Sequence, residues 1–376
     1  MLEKTLNHVV CPRRLPDGRC SGALRVHDDG LPVRRTASRK DEVLEGLVRC
    51  DSCGCDYPII SGVLILVNQV AEYLARYWRA ALSSAALHGT VSEDLTRWIE
   101  RHHPDAPGLP SGDQRIDVNF PGSMDRLADL VGGDPRYGTF AKFLTEWQGR
   151  SPYDRLASFA QALGVKGGVA IDSGCGAGAM ALRLAPMVDF VIGVDYAFGA
   201  VLMARRLLLH LPRPQRDYEL RRSADAFELR SAAPALAAAG GAAGSTSLPL
   251  MGADFVVADS MNLPMNDGSV DLVAGANIID ILSLRTALTE SARVLRRDGV
   301  VLLTDPFKIN PTTFSQGGPD PVGSLKEFLS TLGLSVAMEE DFVPWVWYHY
   351  DRHFQVYLNY CAAARKGGAD ARKGAR

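Results

Sequence analysis

Two groups of residues stand out for the chemistry that their types and spacing allow. The first is Val169-Ala-Ile-Asp172-Ser-Gly174-Cys-Gly176-Ala-Gly178, an acid closing an apolar run and three glycines, two apart, in the turn that follows. Glycines so placed let backbone amides approach a ligand closely while the next helix begins, which is how doubly wound sheets hold nucleotides at their carboxyl edge. A dinucleotide turn reads G-x-G-x-x-G; counted from Gly174, its third glycine would fall on residue 179, an alanine. The pattern present is D-x-G-x-G-x-G. The second group is cysteine. Cys11, Cys20, Cys50, Cys53 and Cys55 crowd the first 55 residues, whereas Cys175 and Cys361 stand alone. Tetrahedral thiolate ligation of zinc can hold a segment too small to build its own core. Cys50-Asp-Ser-Cys53 has the C-x2-C spacing that lets one turn present two sulfurs, while eight residues separate Cys11 from Cys20. The expectation is a structural Zn2+ on Cys11, Cys20, Cys50 and Cys53, with Cys55 as a substitute ligand; the contrary reading is a metal-free remnant.

These groups need elements to position them. From Val165 onward short apolar runs alternate with helical ones: Val169 to Asp172, Phe190 to Asp195, Phe255 to Asp259, Leu272 to Ala276 and Val300 to Asp305. That rhythm predicts a parallel sheet with crossover helices. Ser231 to Ser247, seventeen residues with eight Ala and three Gly, reads as a low-complexity surface insertion. Upstream, Ala71 to Leu87, Ser92 to Arg101 and Thr139 to Trp147 read as helical, and Ser151-Pro152 is a cap with proline at the first helical position of a helix to Leu163. The adjacent pair His102-His103 before a proline reads as an exposed helix end. The chain thus divides into a ribbon over 1–68, a helical connector over 69–150, an α/β domain over 151–363 and a basic, disordered tail over 364–376.

The ribbon residues resemble those of Trm112-like proteins and of the ribosomal-RNA guanine methyltransferases of the RlmA type: Cys11-Pro12, Cys20-Ser-Gly-Ala-Leu24, Cys50-x2-Cys53 and Tyr57-Pro-Ile. From about 151 to 363 the chain resembles the class I S-adenosylmethionine-dependent methyltransferases (methyltransferase domain type 11-like). The glycine turn, Ile192-Gly-Val-Asp195-Tyr196, Val257-Ala-Asp259-Ser260-Met261-Asn-Leu-Pro264 and Ser291-Ala-Arg-Val-Leu-Arg-Arg-Asp-Gly299 follow one another in the family's order. The resemblance implies an α/β fold, a Rossmann-like doubly wound sheet with an antiparallel last strand, preceded by the zinc ribbon and the helical connector. It implies S-adenosyl-L-methionine as co-substrate. By resemblance the cofactor is bound by Asp172, Gly174, Gly176, Gly178, Asp195 (ribose hydroxyls), Tyr196, Asp259 (adenine amino group), Ser260 and Met261 (flanking the ring), and Asn277.

Methyl transfer is an in-line displacement that asks the protein mainly for positioning, plus a base where the nucleophile keeps its proton until late. Asn277-Ile-Ile-Asp280 follows the fourth strand, where the family places residues facing the methyl group; it is not the [D/N]-P-P-Y signature of exocyclic-amine methylation. The final antiparallel hairpin is expected to return to this edge through a connection reading Pro344-Trp345-Val-Trp347-Tyr348-His349-Tyr350-Asp-Arg-His353, whose rings could wall the substrate pocket. Asp280, Tyr348 and His349 are the candidate catalytic residues. Cys175 reads as packing.

Composition narrows the acceptor. The chain has 376 residues, 47% hydrophobic and 22% charged, with a formal net charge of -2, so disorder is excluded and the broad basic footprint of a general nucleic-acid binder is absent. Tyr57 to Val70 is too short and too polar to span a bilayer, and Met1 to Asn7 lacks a secretory pattern, so the expectation is a cytoplasmic protein without disulfides. The expected function is methyl transfer to a nitrogen, oxygen or sulfur nucleophile of a small molecule or peptide. The alternatives are RNA-base methylation, suggested by the ribbon-plus-methyltransferase order, and a non-catalytic scaffold that docks a protein partner through its ribbon.

Overall fold

The computed structural model describes residues 1–37, 39–77, 92–103, 135–139, 142, 151–210, 219–222, 227–230, 252–278, 282–307, 320–350 and 353–367. The N-terminal region is an antiparallel sheet in the order β3 (Leu24–His27), β5 (Val43–Cys50), β6 (Asp56–Ile60), β7 (Val63–Leu64), with β4 (Arg34–Arg35) also on β5. A separate two-stranded hairpin, β1 (Arg14–Leu15) and β2 (Gly18–Arg19), fills the stretch between Cys11 and Cys20. That hairpin is why an eight-residue spacing still makes a knuckle. The Cys20 amide donates to the Arg13 carbonyl at its base, and the Cys11 amide donates to Gly22, so the two cysteines meet across the neck of the insertion. Gly22 leaves room for the close approach: a Cβ there would stand 2.6 Å from the Cys50 sulfur.

The chain is helical over 70–77, here α1, and again in α2 (Glu93–His102), whose amide at Leu95 is capped by the Ser92 hydroxyl at 3.2 Å. Most of the rest of the connector, including most of the helix expected from Thr139, lies outside the described residues. α3 (Pro152–Ala162) opens as its sequence predicts, with the Ser151 hydroxyl accepting from the Asp154 amide.

A seven-stranded sheet follows in the order β12, β9, β8, β13, β14, β16, β15. Its strands are β8 (Val169–Ser173), β9 (Phe190–Asp195), β12 (Ala253–Val257), β13 (Val270–Ala276), β14 (Leu295–Asp305), β15 (Leu334–Tyr350) and β16 (His353–Lys366). The first five in that order run parallel, β16 runs against them, and β15 pairs antiparallel with β16 and so returns to the common direction. Between β9 and β12 the chain also makes a small antiparallel hairpin, β10 (Glu219–Arg222) and β11 (Phe227–Arg230), which the alternation of apolar runs did not reveal. The insertion 231–247 lies outside the described residues. Helices α4 (Ala179–Leu184), α5 (Phe198–Arg205), α6 (Leu284–Val294) and α7 (Pro321–Thr331) connect the strands. From β8 the chain winds outward through β9 to β12, then returns to β13 on the other side of β8, so the strand order reverses beside β8. Ligand crevices open at such a point, outside the carboxyl ends of the strands.

Two expectations need correction. The aromatic segment is not a connection: β15 runs through Pro344 to Tyr350, Trp345 pairs with Tyr357, and Tyr350 pairs with His353. Its β-branched and aromatic residues suit an extended ribbon, with Trp345 and Tyr357 packed ring to ring at 5.0 Å. Because Asp305, the last residue of β14, pairs with Tyr360, the residues of this hairpin nearer its turn project beyond the carboxyl edge. Likewise β16 continues to Lys366, into the segment read as tail, and the Lys366 ammonium donates to the carbonyls of Ala292 and Leu295.

The N-terminal sheet is joined to the large sheet through one continuous apolar core. Ile65 forms a parallel bridge with Val257, and the Leu66 amide donates to the Val257 carbonyl at 2.8 Å, which covers the otherwise open edge at β12. Beneath lies a wholly buried charge cluster: Arg205 pairs with Glu42 at 2.6 Å and with Asp254, whose carboxylate also accepts from the Leu2 amide and the Thr5 hydroxyl. Burial pulls the Arg205 guanidinium down to about 10, against the attraction of Glu42 that holds its proton.

Candidate cofactor site and thiolate centre

Gly174, Gly176 and Gly178 all take left-handed backbone, with φ of 70°, 50° and 87°, a conformation that side-chain-bearing residues adopt only at a cost. The amides of Gly174 and Cys175 both donate to the Val194 carbonyl, so the turn folds back over the end of β9. Asp195 closes β9 with its carboxylate aligned by two amides, Gly176 at 2.9 Å and Ala197 at 2.8 Å. The glycine turn therefore positions the acid that ends the neighbouring strand.

Asp259 lies just past β12, in a turn tightened by the Met261 amide donating to its carboxylate at 2.8 Å and the Asn262 amide to its carbonyl. Ser260 is buried and its hydroxyl lies 2.8 Å from that of Ser173, linking this turn to the end of β8. Tyr196 is 42% exposed and stands edge-on to Tyr73 and Tyr77 of α1, with the Tyr73 hydroxyl donating to its carbonyl. Burial, then the neighbouring Tyr77 and Asp259, push the Tyr196 hydroxyl above its ordinary range. Gly174, Gly176, Gly178, Asp195, Tyr196, Asp259, Ser260 and Met261 thus gather on one edge of the sheet.

Asp172 has a different place. It is buried and accepts from the Ala181 amide at 2.8 Å, anchoring the first turn of α4 rather than lining the open edge. Burial raises its carboxyl to about 7 against the stabilising amide, with the Asp195 charge adding to the rise. Asn277 sits past β13 in left-handed backbone; its side-chain oxygen accepts from Asn359, which also donates to Thr304, so β13, β14 and β16 are tied together beneath the acceptor side. Ile278 packs beside it against Gly174, where a Cβ would collide with it. Sequence reasoning missed Asn359 and Thr304, and a threonine and an asparagine inside apolar strands were the only signal. Asp280 lies outside the described residues, as do the side chains of Tyr348 and His349. Cys175 is buried, which raises its thiol well above the ordinary value and suits packing rather than attack.

The second site is the thiolate centre. The sulfurs of Cys11, Cys20, Cys50 and Cys53 all lie within 4.8 Å of one another, with Cys11 to Cys53 and Cys20 to Cys50 each 3.6 Å. Four sulfurs about 2.3 Å from a tetrahedral ion stand about 3.8 Å apart, so the set fits zinc. Burial raises the Cys53 thiol, but the Cys55 amide and the other three thiols outweigh it and bring it down to about 7. Cys55 is not in the group; its carbonyl accepts from the Cys50 amide and so closes the second knuckle. The Tyr57 hydroxyl reaches the Cys11 sulfur at 3.0 Å.

Comparison with known proteins covers part of the site. A methyltransferase-domain family model matches residues 216–303, which takes in Asp259, Ser260, Met261, Asn277 and Asp280 but not the glycine turn or Asp195. No curated protein sequence matches the chain. Solved structures that resemble it include the YcgJ protein of Bacillus subtilis (17% identity, 57% of this chain and 98% of that one, TM-score 0.37). A putative methyltransferase of Bacillus halodurans is similar at 15% identity, over 57% of this chain and 99% of that one, TM-score 0.37. The magnesium protoporphyrin IX methyltransferase of Synechocystis, solved with SAH bound, is similar at 16% identity, over 67% of this chain and 98% of that one, TM-score 0.36. Among the described residues no helix is long and apolar enough to cross a membrane.

Proposed function

We propose that the protein is an S-adenosylmethionine-dependent methyltransferase with a structural zinc on Cys11, Cys20, Cys50 and Cys53. One observation carries the reading: Asp195 closes β9 and Asp259 follows the adjacent β12, beside a turn of three left-handed glycines, one of which aligns the Asp195 carboxylate. In this reading Asp195 takes the ribose hydroxyls, Asp259 the adenine amino group, and Tyr196, Ser260 and Met261 flank the ring. The cofactor supplies a methyl group activated on a sulfonium. The chain supplies a fixed approach, shielded by the hairpin that projects past the carboxyl edge, and Asp280, Tyr348 or His349 accepts a proton where the nucleophile carries one.

For the acceptor we propose a small molecule or peptide presenting nitrogen, oxygen or sulfur. Five of the ribbon's arginines are engaged with carboxylates: Arg19 with Glu290, Arg25 with Asp51, Arg34 with Glu45, Arg35 with Glu3, and Arg49 with Asp29 and Asp56, while Arg13 and Arg14 are exposed. RNA would need such residues facing its phosphates.

The test is transfer of labelled methyl from S-adenosylmethionine into pools of metabolites, peptides and RNA at low and physiological salt. Label in a metabolite or peptide with little salt dependence is the expected result. Label in RNA that falls steeply with salt would establish the alternative, and no label in any pool would favour the scaffold reading. If His349→Ala and Tyr348→Phe both leave turnover intact, neither side chain is the base.

A further inference from the structure

The hairpin inserted between Cys11 and Cys20 does more than tolerate a long spacing, because it reaches the turn that carries Asp259. Val10, immediately before the ligand Cys11, donates its amide to the Pro264 carbonyl at 2.8 Å. Pro12, immediately after it, accepts from the Asn262 side chain at 2.8 Å. Arg14 reaches the Asn262 side-chain oxygen at 3.4 Å. Arg19, immediately before the ligand Cys20, donates to the Leu263 carbonyl at 3.0 Å and grips both oxygens of Glu290 at 2.9 and 3.0 Å. Glu290 in turn accepts from the Leu263 amide at 3.0 Å. Both cysteines of the first knuckle are therefore chain neighbours of groups that hold 262–264, the continuation of the Asp259, Ser260, Met261 turn.

We propose that the thiolate centre positions the adenine side of the cofactor site, with Arg19 as the ribbon's positioning residue beside Arg293 of α6. The inference rests on the cofactor and zinc readings above. A two-stranded hairpin with only Arg14↔Arg19 and Leu15↔Gly18 paired has no stability of its own. Its place is set at the neck between Cys11 and Cys20, where bound metal reinforces the backbone bonds and metal loss loosens them. Loosening the neck frees the hairpin and withdraws its share of the contacts to 262–264, leaving Leu263 to Arg293 and Glu290 of α6, so Asp259 and its neighbours are held less firmly. The coupling works in both directions: whatever metal contributes to cofactor affinity, cofactor contributes to metal affinity.

The test titrates S-adenosylhomocysteine by calorimetry into the full chain in three forms: zinc-loaded wild type, wild type stripped by a chelator, and zinc-loaded Arg19→Ala. The expected result is binding about tenfold weaker in the stripped protein and in Arg19→Ala, with Arg19→Ala retaining its zinc. Saturating S-adenosylhomocysteine should tighten zinc binding about tenfold in wild type and leave it unchanged in Arg19→Ala, a reciprocity that loss of general stability would not produce. Equal affinity in all three forms overturns the proposal. If the stripped protein loses its fold by circular dichroism, Arg19→Ala decides, and unchanged affinity there is the overturning result. No binding to zinc-loaded wild type would overturn the cofactor reading, and this inference with it.

Discussion

The two turns that shape the carboxyl edge of the sheet are held by opposite means. The turn after β8 is built from its own residues: left-handed glycines, two amides on the Val194 carbonyl, and Gly176 on a carboxylate 19 positions away. The turn after β12 closes on itself through Asp259 and the Met265 amide, and its far end is held from two sides, by Arg293 and Glu290 of α6 and by a ribbon side chain 244 positions distant with backbone on either side of Cys11. One side of the candidate cofactor site is therefore local, whereas the other is braced in part by a second sheet. A ribbon placed this way is part of the site's framework rather than an appended module.

The strongest way to break the contrast is to undock the ribbon. Arg205→Met removes the cation between Glu42 and Asp254 and leaves two buried carboxylates without it. A loss of about 3–5 kcal/mol in urea unfolding is expected, because an uncompensated buried charge is costly. A loss below about 1 kcal/mol would mean that the junction does not depend on this cluster.

The next effect belongs to the local turn and to pH. The folded carboxyl of Asp172 titrates at about 7 and the unfolded one at about 4. The folded protein thus binds the extra proton between those values. The contribution of this group to stability is full below about pH 4 and lost as pH rises through 7, a span of at most about 4 kcal/mol. Asp172→Asn, which can still accept from Ala181, is expected to flatten the decline in stability between pH 5 and pH 8. An unchanged slope would show that Asp172 ionises at an ordinary value.

Gly174→Ala sharpens the contrast from the same side. A methyl at φ 70° would meet Ile278, so a cost of about 1–3 kcal/mol in S-adenosylhomocysteine binding is expected, with zinc content unchanged. The smallest effect is expected from Cys55→Ser: full zinc content by elemental analysis, since the sulfur of Cys55 stands outside the four-thiol group. Loss of zinc in that variant would show that Cys55 takes a ligand position.

What the sequence disclosed follows the same division. The glycine turn, Asp195 and the parallel strands were legible because left-handed glycines and period-specific apolar runs leave local marks. The four clustered cysteines were legible by residue type, although the long spacing between Cys11 and Cys20 was the clue to a docking hairpin. The partnership of Arg19 with Glu290 and Leu263 left no such mark, since any arginine on a short hairpin reads as solvated. Asp172 was legible as a motif residue but not as an anchor, because its burial depends on how α4 starts against β8. The aromatic segment was misread as a connection because ring-rich runs suit a loop and an extended strand alike, and only the pairing register separates them.

The central claim is that Asp195 and the glycine turn hold S-adenosylmethionine. It is tested most directly by calorimetric titration of that cofactor into zinc-loaded wild type and Asp195→Ala. Saturable binding near one per chain, lost or weakened at least about a hundredfold in the variant, is the expected result. Wild-type protein that is folded and zinc-loaded yet binds no S-adenosylmethionine, or a variant that binds it equally well, would contradict the account.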